Sequence, residues 1–333
     1  MGKITIYDIA KISGFSPKTV SRVVNGEKNV RASTYEAIQK VIEELNYTPN
    51  SYARHLRSTS YKNILISVKK SEAYPLKWFH ILLEKLILEC RAHQFNVMVE
   101  YFDQGDDLEN SLLRSGASFI DGAVLFYEEP EDERISLLRK LKKPFVVFGK
   151  SNTDDVNYVT NDDYGALYSL TEYLLAQGHR QMMMMIGANS IVNADRVQGA
   201  KDAYEAQSFN PGWVDVVYDM RTTEDVYRYA HNRYKELKHL PDAIFVSGDE
   251  KVAGLFRAFH ELQIDVPRDV SVIGFDDIPL AAYYVPSLTT IAQNYVELAK
   301  KVVHNLLDLM EDKKPTSLEI PTELILRESV RRR

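Results

Sequence analysis

Residues 5–25 constrain most narrowly what the start of this chain can form. Thr5 and Ser16 each have a side-chain oxygen that can accept an unpaired backbone N–H, as at the start of a helix. Between them, Gly14 can take the positive φ that ends a helix, and Pro17 suits the first position of the next helix. The stretch therefore predicts two short helices joined by a tight turn.

The faces of these two helices differ in chemistry. Their apolar faces are Ile6, Ile9, Ala10 and Ile12 on the first helix and Val20, Val23 and Val24 on the second. The other face of the second helix has side chains that can bind base edges and phosphates, namely Lys18, Ser21, Arg22 and Asn25. Two helices this short cannot bury a core alone. A capping box at residues 33–36, followed by an apolar stripe, predicts the third helix that they need.

Two motifs in this region are highly specific: T-V-S-R-V-V-N-G at residues 19–26 and N-Y-T-P-N at residues 46–50. Through them, residues 5–50 resemble the DNA-binding domain of the LacI/GalR family of bacterial repressors. An amphipathic helix pair alone usually means core packing, but the motifs and the third helix favour DNA binding. The residues expected to contact DNA are Thr5, Tyr7, Ser16, Pro17, Lys18, Thr19, Ser21, Arg22, Asn25, Asn50, Ala53, Leu56 and Arg57.

Residues 49–57 follow the third predicted helix and have two interpretations. Pro49 breaks the helical pattern, and the remaining stretch allows about two turns, too few for a stable isolated helix. An interdomain linker is the simpler interpretation. The family resemblance implies instead a hinge helix that folds on operator DNA, where Leu56 enters the minor groove and kinks a base step.

The 333 residues are too many for one core and indicate two or three domains. Residues 1–60 contain nine Lys/Arg and five Asp/Glu, a net charge of +4, whereas the remainder has 32 against 42, a net charge of −10. A basic head on an acidic body suits DNA binding through the head. Cys90 is the single cysteine, and neither a signal peptide nor a membrane-spanning run is apparent, so we expect a cytoplasmic protein without disulfides.

From residue 63 onward, short apolar runs alternate with helical stretches. The predicted strands are 64–68, 95–101, 120–127, 144–148, 182–186, 214–218, 243–247 and 270–275, and the predicted helices are 78–92, 132–141, 164–175, 194–206, 223–237 and 251–262. This alternation is typical of parallel sheets covered by helices on both faces. We therefore expect an all-α helix-turn-helix head and an α/β body of two doubly wound, Rossmann-like subdomains.

Several motifs in the body also look like family motifs, among them R-V-Q-G at 196–199 and V-P-R-D-V-S-V-I-G-F-D-D at 266–277. The resemblance implies a body of periplasmic-binding-protein type, with two lobes around a ligand cleft. The expected organisation is a head at 1–48, a hinge at 49–60, a first lobe at 61–160 and 292–322, and a second lobe at 161–291. Residues 145–150 look like the family branch that senses maltose-type oligosaccharides.

No nucleophile motif, phosphate loop, metal-spaced cluster or dinucleotide fingerprint is apparent, so we expect neither enzymatic activity nor a cofactor or metal. Asp276 and Asp277 follow a strand, where ligands bind in open α/β sheets. Their carboxylates can hydrogen-bond sugar hydroxyls. Two alternatives are that they cap the next turn or that they take part in acid–base catalysis. Arg196 matches the effector-binding arginine of the family, although a surface cation is the usual fate of an arginine.

The residues expected to bind the effector are Trp78, Phe79, Ser190, Arg196, Met220, Asp249, Asp276, Gln293 and Tyr295. Trp78 and Phe79 could equally be helix core. Two stretches depart from the family pattern: Gly248 stands where the family usually has an asparagine, and residues 69–76 lack the usual Asp-x-x-Asn-Pro loop. Both departures leave the identity of the ligand open.

These observations predict a transcriptional repressor of carbohydrate-utilisation genes. We expect it to act as a homodimer, or a higher oligomer, on near-palindromic operator DNA and to respond to a small-molecule effector, a sugar, without contact with a membrane. The alternative is a cytoplasmic sugar-binding or transport-associated protein without a regulatory role, which the DNA-binding head disfavours. A sugar-active enzyme is a third alternative, which is disfavoured because the sequence shows no set of catalytic residues.

Overall fold

The computed structural model describes residues 4–24, 30–45, 47, 62–69, 77–102, 108, 111–236 and 239–331. The chain divides into two compact units, Met1–Lys62 and Asn63–Arg333, called the head and the body below. Among the described residues, no helix combines the length and apolarity needed to cross a bilayer.

The head is a small three-helix unit of α1 (Ile6–Ser13), α2 (Pro17–Val24) and α3 (Ala32–Glu44). Its core includes Ile9, Val20 and Ile38, none of which has exposed surface. Gly14 ends α1 with φ 74°, as the sequence predicts. The hydroxyl of Ser16 accepts the Thr19 N–H at 3.2 Å, so the predicted start of α2 is also confirmed.

Two local expectations for the head are wrong. Helix α3 begins at Ala32 after Arg31, so Ser33 already lies inside the first turn and cannot cap it. Ile12 is 58% exposed, because α1 turns only Ile9 and Ala10 fully inward. Thr5 is the N-cap of α1, as predicted, and its hydroxyl and N–H donate to the Asp8 carboxylate at 2.7 Å and 2.8 Å.

The body alternates strands and helices as the sequence predicts. Its first part contains β1 (Lys62–Lys69), α4 (Lys77–Ala92), β2 (Phe95–Phe102), α5 (Leu112–Ser115), β3 (Gly122–Phe126), α6 (Glu133–Lys140), β4 (Phe145–Phe148) and β5 (Tyr158–Asn161). Its second part contains α7 (Asp163–Ala176), β6 (Met182–Met185), α8 (Ile191–Ala206), β7 (Val214–Val217), α9 (Thr223–Glu236), β8 (Ala243–Val246), α10 (Asp249–Glu261), β9 (Ser271–Asp276) and β10 (Thr289–Ala292). Short 3₁₀ turns lie at Pro211–Trp213 and Pro279–Tyr283. The last described elements are α11 (Tyr295–Met310), β11 (Leu318–Ile320) and β12 (Glu323–Ile325).

These strands form two six-stranded sheets, one in each lobe. The first-lobe sheet has the order β2-β1-β3-β4-β5-β11, and the second-lobe sheet has the order β7-β6-β8-β9-β10-β12. Pairing is parallel from β1 through β11 and from β7 through β10, whereas β12 is antiparallel to β10. In each sheet the strand order reverses between the first and third strands, which opens a crevice at their carboxyl ends. The predicted doubly wound fold is confirmed.

Strand β6 shows how each sheet is covered on both sides. Met182 and Met184 pack in the core beneath α7 and α8, whereas Met183 and Met185 pack in the core beneath α9 and α10. Successive side chains of a strand point to opposite faces, so one four-residue apolar run contributes to two cores. The methionine run is therefore the central buried strand that its composition predicts.

Candidate functional site

The predicted DNA-contacting residues of the head lie on its surface wherever the structure describes them. Thr5, Tyr7, Ser16, Pro17, Lys18 and Arg22 are exposed, and Thr19 and Ser21 are half-buried. Tyr7 is 73% exposed, so its side chain is accessible to a partner. Asn25, Asn50, Ala53, Leu56 and Arg57 lie outside the described residues.

In the second lobe, Arg196 is fixed from two directions. Its Nε donates to the Asp163 carboxylate at 2.6 Å, and its guanidinium lies 3.9 Å above the ring of Phe275. Burial raises the pKa of Asp163, although the Arg196 charge opposes that shift. The pair and the ring hold the guanidinium plane at the carboxyl edge of β9, where its remaining N–H groups can serve a ligand.

Asp276 is the centre of a hydrogen-bonded chain between the two lobes. Its Oδ1 accepts from Gln293 Nε2 at 2.6 Å, and the side-chain oxygen Oε1 of Gln293 accepts from Asn161 Nδ2 at 3.0 Å. The Tyr295 hydroxyl donates to the Asp276 backbone carbonyl at 2.9 Å. Since Asn161 ends β5 of the first lobe, the Asp276 carboxylate is positioned jointly by residues of both sheets.

The backbone at Asp276 is strained. Asp276 has φ 113° and Asp277 has φ 50°, both in the region that favours glycine. Such outliers concentrate at ligand sites, where the surrounding structure holds them. Arg327 Nη2 donates to the Asp277 carboxylate at 2.7 Å and anchors this turn.

Lys251 is a further polar group at the same edge. It is 4% exposed, and its ammonium donates to the Met220 carbonyl and to Ser247 Oγ, both at 3.0 Å. Among the described residues no carboxylate forms an ion pair with it, and burial lowers the pKa of the Lys251 amine to about 8. Lys251 therefore retains one uncommitted N–H donor beside the cleft.

Gly248 explains how Lys251 reaches this position. A Cβ atom built on Gly248 would lie 2.9 Å from Lys251 Cε and 3.7 Å from both Lys251 Nζ and Asp276 Oδ2. The lysine side chain therefore occupies the space of the side chain that Gly248 lacks, and its ammonium and the Asp276 carboxylate flank the same point.

The first-lobe side of the cleft is aromatic. Trp78 is half-buried and its ring lies 6.3 Å from that of Tyr127 and 6.0 Å from that of Phe148. Burial, and then the nearby Asp276 carboxylate, raise the pKa of the Tyr127 phenol. Phe79 has no exposed surface and packs edge-on against Phe126, which contradicts its prediction as a cleft residue.

The other predicted effector residues have different positions. Asp249 has no exposed surface, and its carboxylate accepts from the Ile278 N–H at 2.9 Å and the Thr290 hydroxyl at 2.6 Å. It supports the loop after β9, which contradicts a direct contact with an effector in this conformation. Ser190 is exposed and caps α8 by accepting the Asn193 N–H at 3.3 Å. Met220 is 9% exposed.

Direct contacts also join the lobes beside this chain of hydrogen bonds. Lys150, which follows β4, lies 2.6 Å from the Asp195 carboxylate on α8 and 3.1 Å from that of Glu319 on β11. The Lys77 N–H at the start of α4 donates to the Glu250 carboxylate at 2.6 Å. The described conformation therefore holds the lobes together at two further points.

Lys251, Asn161 and Tyr127 were missed by sequence reasoning. The sequence did contain one signal for Lys251. It precedes the apolar residues Leu255 and Ala258 by four and seven positions, so it lies on the same buried face of α10. A charged residue on a buried stripe at a strand's carboxyl edge indicates a site. Tyr127 lies at the carboxyl end of the strand predicted at 120–127 and directly follows β3, the same kind of position that marked Asp276. Asn161 gave no comparable signal, because β5 was not among the predicted strands.

A three-helix head and an α/β body of two doubly wound lobes form the architecture that the family resemblance implies for a DNA-binding regulator. The comparisons with known proteins agree. Residues 5–50 match the model of "Bacterial regulatory proteins, lacI family", and residues 171–330 match that of a "Periplasmic binding protein-like domain".

Curated relatives extend this match over nearly the whole chain. The HTH-type transcriptional repressor PurR of Serratia proteamaculans is 30% identical over 333 residues, which cover 98% of this chain and 96% of that protein. PurR of Haemophilus influenzae is 29% identical over 337 residues, 98% of each chain. The crystal structure of the Lac repressor dimer bound to operator and the anti-inducer ONPF superposes with a TM-score of 0.84 at 25% identity, covering 98% of this chain and 99% of that one.

The chain therefore belongs to the lacI family of bacterial regulatory proteins. It is a DNA-binding transcriptional repressor and not an enzyme.

Proposed function

We propose that this repressor controls carbohydrate-utilisation genes in the cytoplasm and that its effector is a neutral sugar bound between the lobes. The observation that carries the proposal is the edge of the second lobe, where the Asp276 carboxylate lies close to two cations, Arg196 and Lys251. A sugar hydroxyl both donates and accepts, so it needs an acceptor such as a carboxylate together with donors such as guanidinium or ammonium N–H groups.

The groups of the site suit a neutral ligand that carries hydroxyl groups. Burial, and then the neighbouring Asp249 carboxyl, raise the pKa of Asp276, so the uncharged form of this carboxyl is favoured relative to a solvent-exposed aspartate. In either protonation state the Asp276 carboxyl can hydrogen-bond a hydroxyl group, and Arg196 and Lys251 add N–H donors. Trp78, on the opposite side, offers an apolar ring face of the kind that packs on the C–H face of a pyranose.

The Lac repressor comparisons support the same ligand class. Two solved Lac repressor structures contain ONPF and ONPG, and both superpose on this chain with a TM-score of 0.84. Residues 145–150 point to maltose-type oligosaccharides, so maltose is the first sugar to test.

The proposed mechanism is a population shift between two lobe arrangements. A sugar that contacts Asp276 and Trp78 together binds best when the lobes are as close as they are here. The same arrangement makes the Lys150–Asp195 and Lys77–Glu250 contacts, so ligand and contacts favour one state. Coupling to operator affinity requires that the two lobe arrangements fit paired hinge segments differently.

We also propose a homodimer on a near-palindromic operator, with Leu56 of each hinge at the central base step. One short segment of the second lobe presents three exposed apolar side chains: Leu280 is 48% exposed, Tyr283 80% and Val285 92%. A contiguous apolar patch of this kind is typical of a surface that a partner covers. Sedimentation of the parent and of Tyr283→Asp tests this point, because loss of the patch should shift the protein towards monomer.

A gel shift with genomic fragments tests the function as a whole. The purified protein should retain a fragment that carries a near-palindrome, and one sugar from a panel of maltose, maltotriose, lactose, cellobiose and ribose should change its affinity. Operator binding that no sugar alters would contradict the sugar effector but not the repressor. Sugar binding without DNA binding would instead support the solute-binding alternative.

A further inference from the structure

A second group of chemically active side chains lies away from the cleft, where α4 and α11 pack in the first lobe. Glu89 lies on α4, His93 follows one turn later, and His304 lies on α11. Their side chains are 28%, 34% and 42% exposed, so solvent ions can reach all three.

The geometry of these groups is that of ligands around a common ion. Glu89 Oε1 lies 3.3 Å from His93 Nε2 and 3.6 Å from His304 Nε2, and the three atoms lie within 4.8 Å of one another. The two imidazole rings stand 5.4 Å apart at 81°, so both can direct a nitrogen to one point. Two ligands of a tetrahedral ion with bonds of about 2.0–2.2 Å are roughly 3.3–3.6 Å apart.

We propose that Glu89, His93 and His304 form a binding site for a divalent transition-metal ion, with a fourth position open to water. Imidazole nitrogen with one carboxylate oxygen suits Zn²⁺, Co²⁺ or Ni²⁺, whereas Ca²⁺ and Mg²⁺ prefer oxygen ligands alone. Glu89 on α4 and His93, which directly follows the last residue of α4, have the i, i+4 spacing that brings two side chains together along a helical turn.

The ion would join two helices that come from opposite ends of the body sequence. Helix α4 follows the first strand of the body, and α11 is the helix through which the chain returns to the first lobe. An ion held by both stabilises their packing, because it binds the folded lobe and not the unfolded chain. The site lies outside the effector cleft, so it acts on the stability of the first lobe independently of the sugar proposal.

The site can be tested with untagged full-length protein that has been dialysed against a chelator. Calorimetric titration with ZnCl₂ or CoCl₂ should show one ion bound per chain. A thermal melt should show a higher Tm with ZnCl₂, and the CoCl₂ sample should show the visible absorption of four-coordinate Co²⁺. His304→Ala and His93→Ala should each weaken Zn²⁺ binding at least tenfold, a loss of about 1.4 kcal/mol or more. Glu89→Gln should weaken it while both imidazoles remain.

His260→Ala is the matched control, because His260 is an exposed helical histidine of the second lobe. It should leave Zn²⁺ affinity and the Co²⁺ spectrum unchanged. The proposal is overturned if neither ion binds saturably, or if His260→Ala weakens binding as much as His304→Ala. An unchanged affinity in both His93→Ala and His304→Ala would overturn it equally, because Glu89 and the two histidines would then be only a surface ion pair.

Discussion

Replacement of Lys251 by methionine should stabilise the ligand-free protein and at the same time weaken its response to the effector. Burial lowers the pKa of the Lys251 amine from 10.5 to about 8. At about 1.4 kcal/mol per pH unit, the charged lysine therefore costs the folded protein about 3 kcal/mol near neutral pH. Methionine has similar length and carries no charge.

Two hydrogen bonds reduce the expected gain. Lys251→Met leaves the Met220 carbonyl and Ser247 Oγ without their ammonium donor. Each unpaired buried acceptor costs about 1 kcal/mol, so the net gain is about 1 kcal/mol. For a domain of this size that corresponds to a Tm higher by about 2–4 °C at pH 7.

The pH dependence separates this explanation from general repacking. Between pH 8 and about 10.4, folded Lys251 is neutral while the unfolded lysine keeps its proton, so the parent gains stability as pH rises. The advantage of Lys251→Met should therefore be full below pH 8, shrink as the pH rises above 8, and reverse near about pH 9, because the two lost hydrogen bonds remain while the penalty of the charged lysine is relieved. Thermal melts of both proteins from pH 7 to 10 measure this, with the exposed Lys300→Met as control. The reasoning would be refuted if Lys251→Met had a lower Tm than the parent at pH 7, or if the Tm difference between the two proteins did not change with pH.

Four further outcomes are expected. Arg22→Ala should remove most operator discrimination, since one bidentate arginine–guanine pair contributes about 1–3 kcal/mol; a gel shift with matched and scrambled operators checks it. Leu56→Ala should weaken operator binding without unfolding the body, and an unchanged footprint would count against a hinge helix. Asp276→Asn should weaken binding of the active sugar at least tenfold while ligand-free operator affinity stays normal, and calorimetry decides. Arg134→Met should destabilise the body by about 3 kcal/mol or more because it leaves a buried carboxylate unpaired, whereas the exposed Arg228→Met should cost less than about 1 kcal/mol in urea unfolding.

The arginine in the last of these variants shows what the sequence could not reveal. Arg134 is 1% exposed, pairs with Asp132 at 2.6 Å, and donates to the carbonyls of Ser67 and Phe126 at the ends of β1 and β3. In the sequence it is one charged residue in a predicted surface helix. Its burial results from packing between distant segments, which no local pattern records.

The body fold was predictable because strong apolar runs alternate with helical stretches over most of its length. Several misses are short elements: β5 and β10 have four residues each, and β11 and β12 have three each, too few for a periodic signal. The 16-residue helix α11 was also missed, although it is long enough to carry a helical pattern. At the cleft, Arg196 and Asp276 could be proposed from motifs. The burial of Phe79 in a helix core was one of two interpretations left open, and the burial of Asp249 was not proposed, because both depend on which side of α4 and α10 faces the sheet.

The packing of Lys251 over Gly248 has a consequence for the order in which substitutions can accumulate. A side chain added at position 248 while Lys251 is present places its Cβ 2.9 Å from Lys251 Cε, so the lysine side chain would have to move. Gly248 also has φ 137°, which strains any other residue whatever space is available. The two positions are energetically coupled, as neighbours in one small space generally are. Shortening Lys251 removes the contact but not the backbone strain, so a library at position 248 built on Lys251→Ala should give more folded variants than one built on the parent, with glycine the most stable residue at position 248 in both.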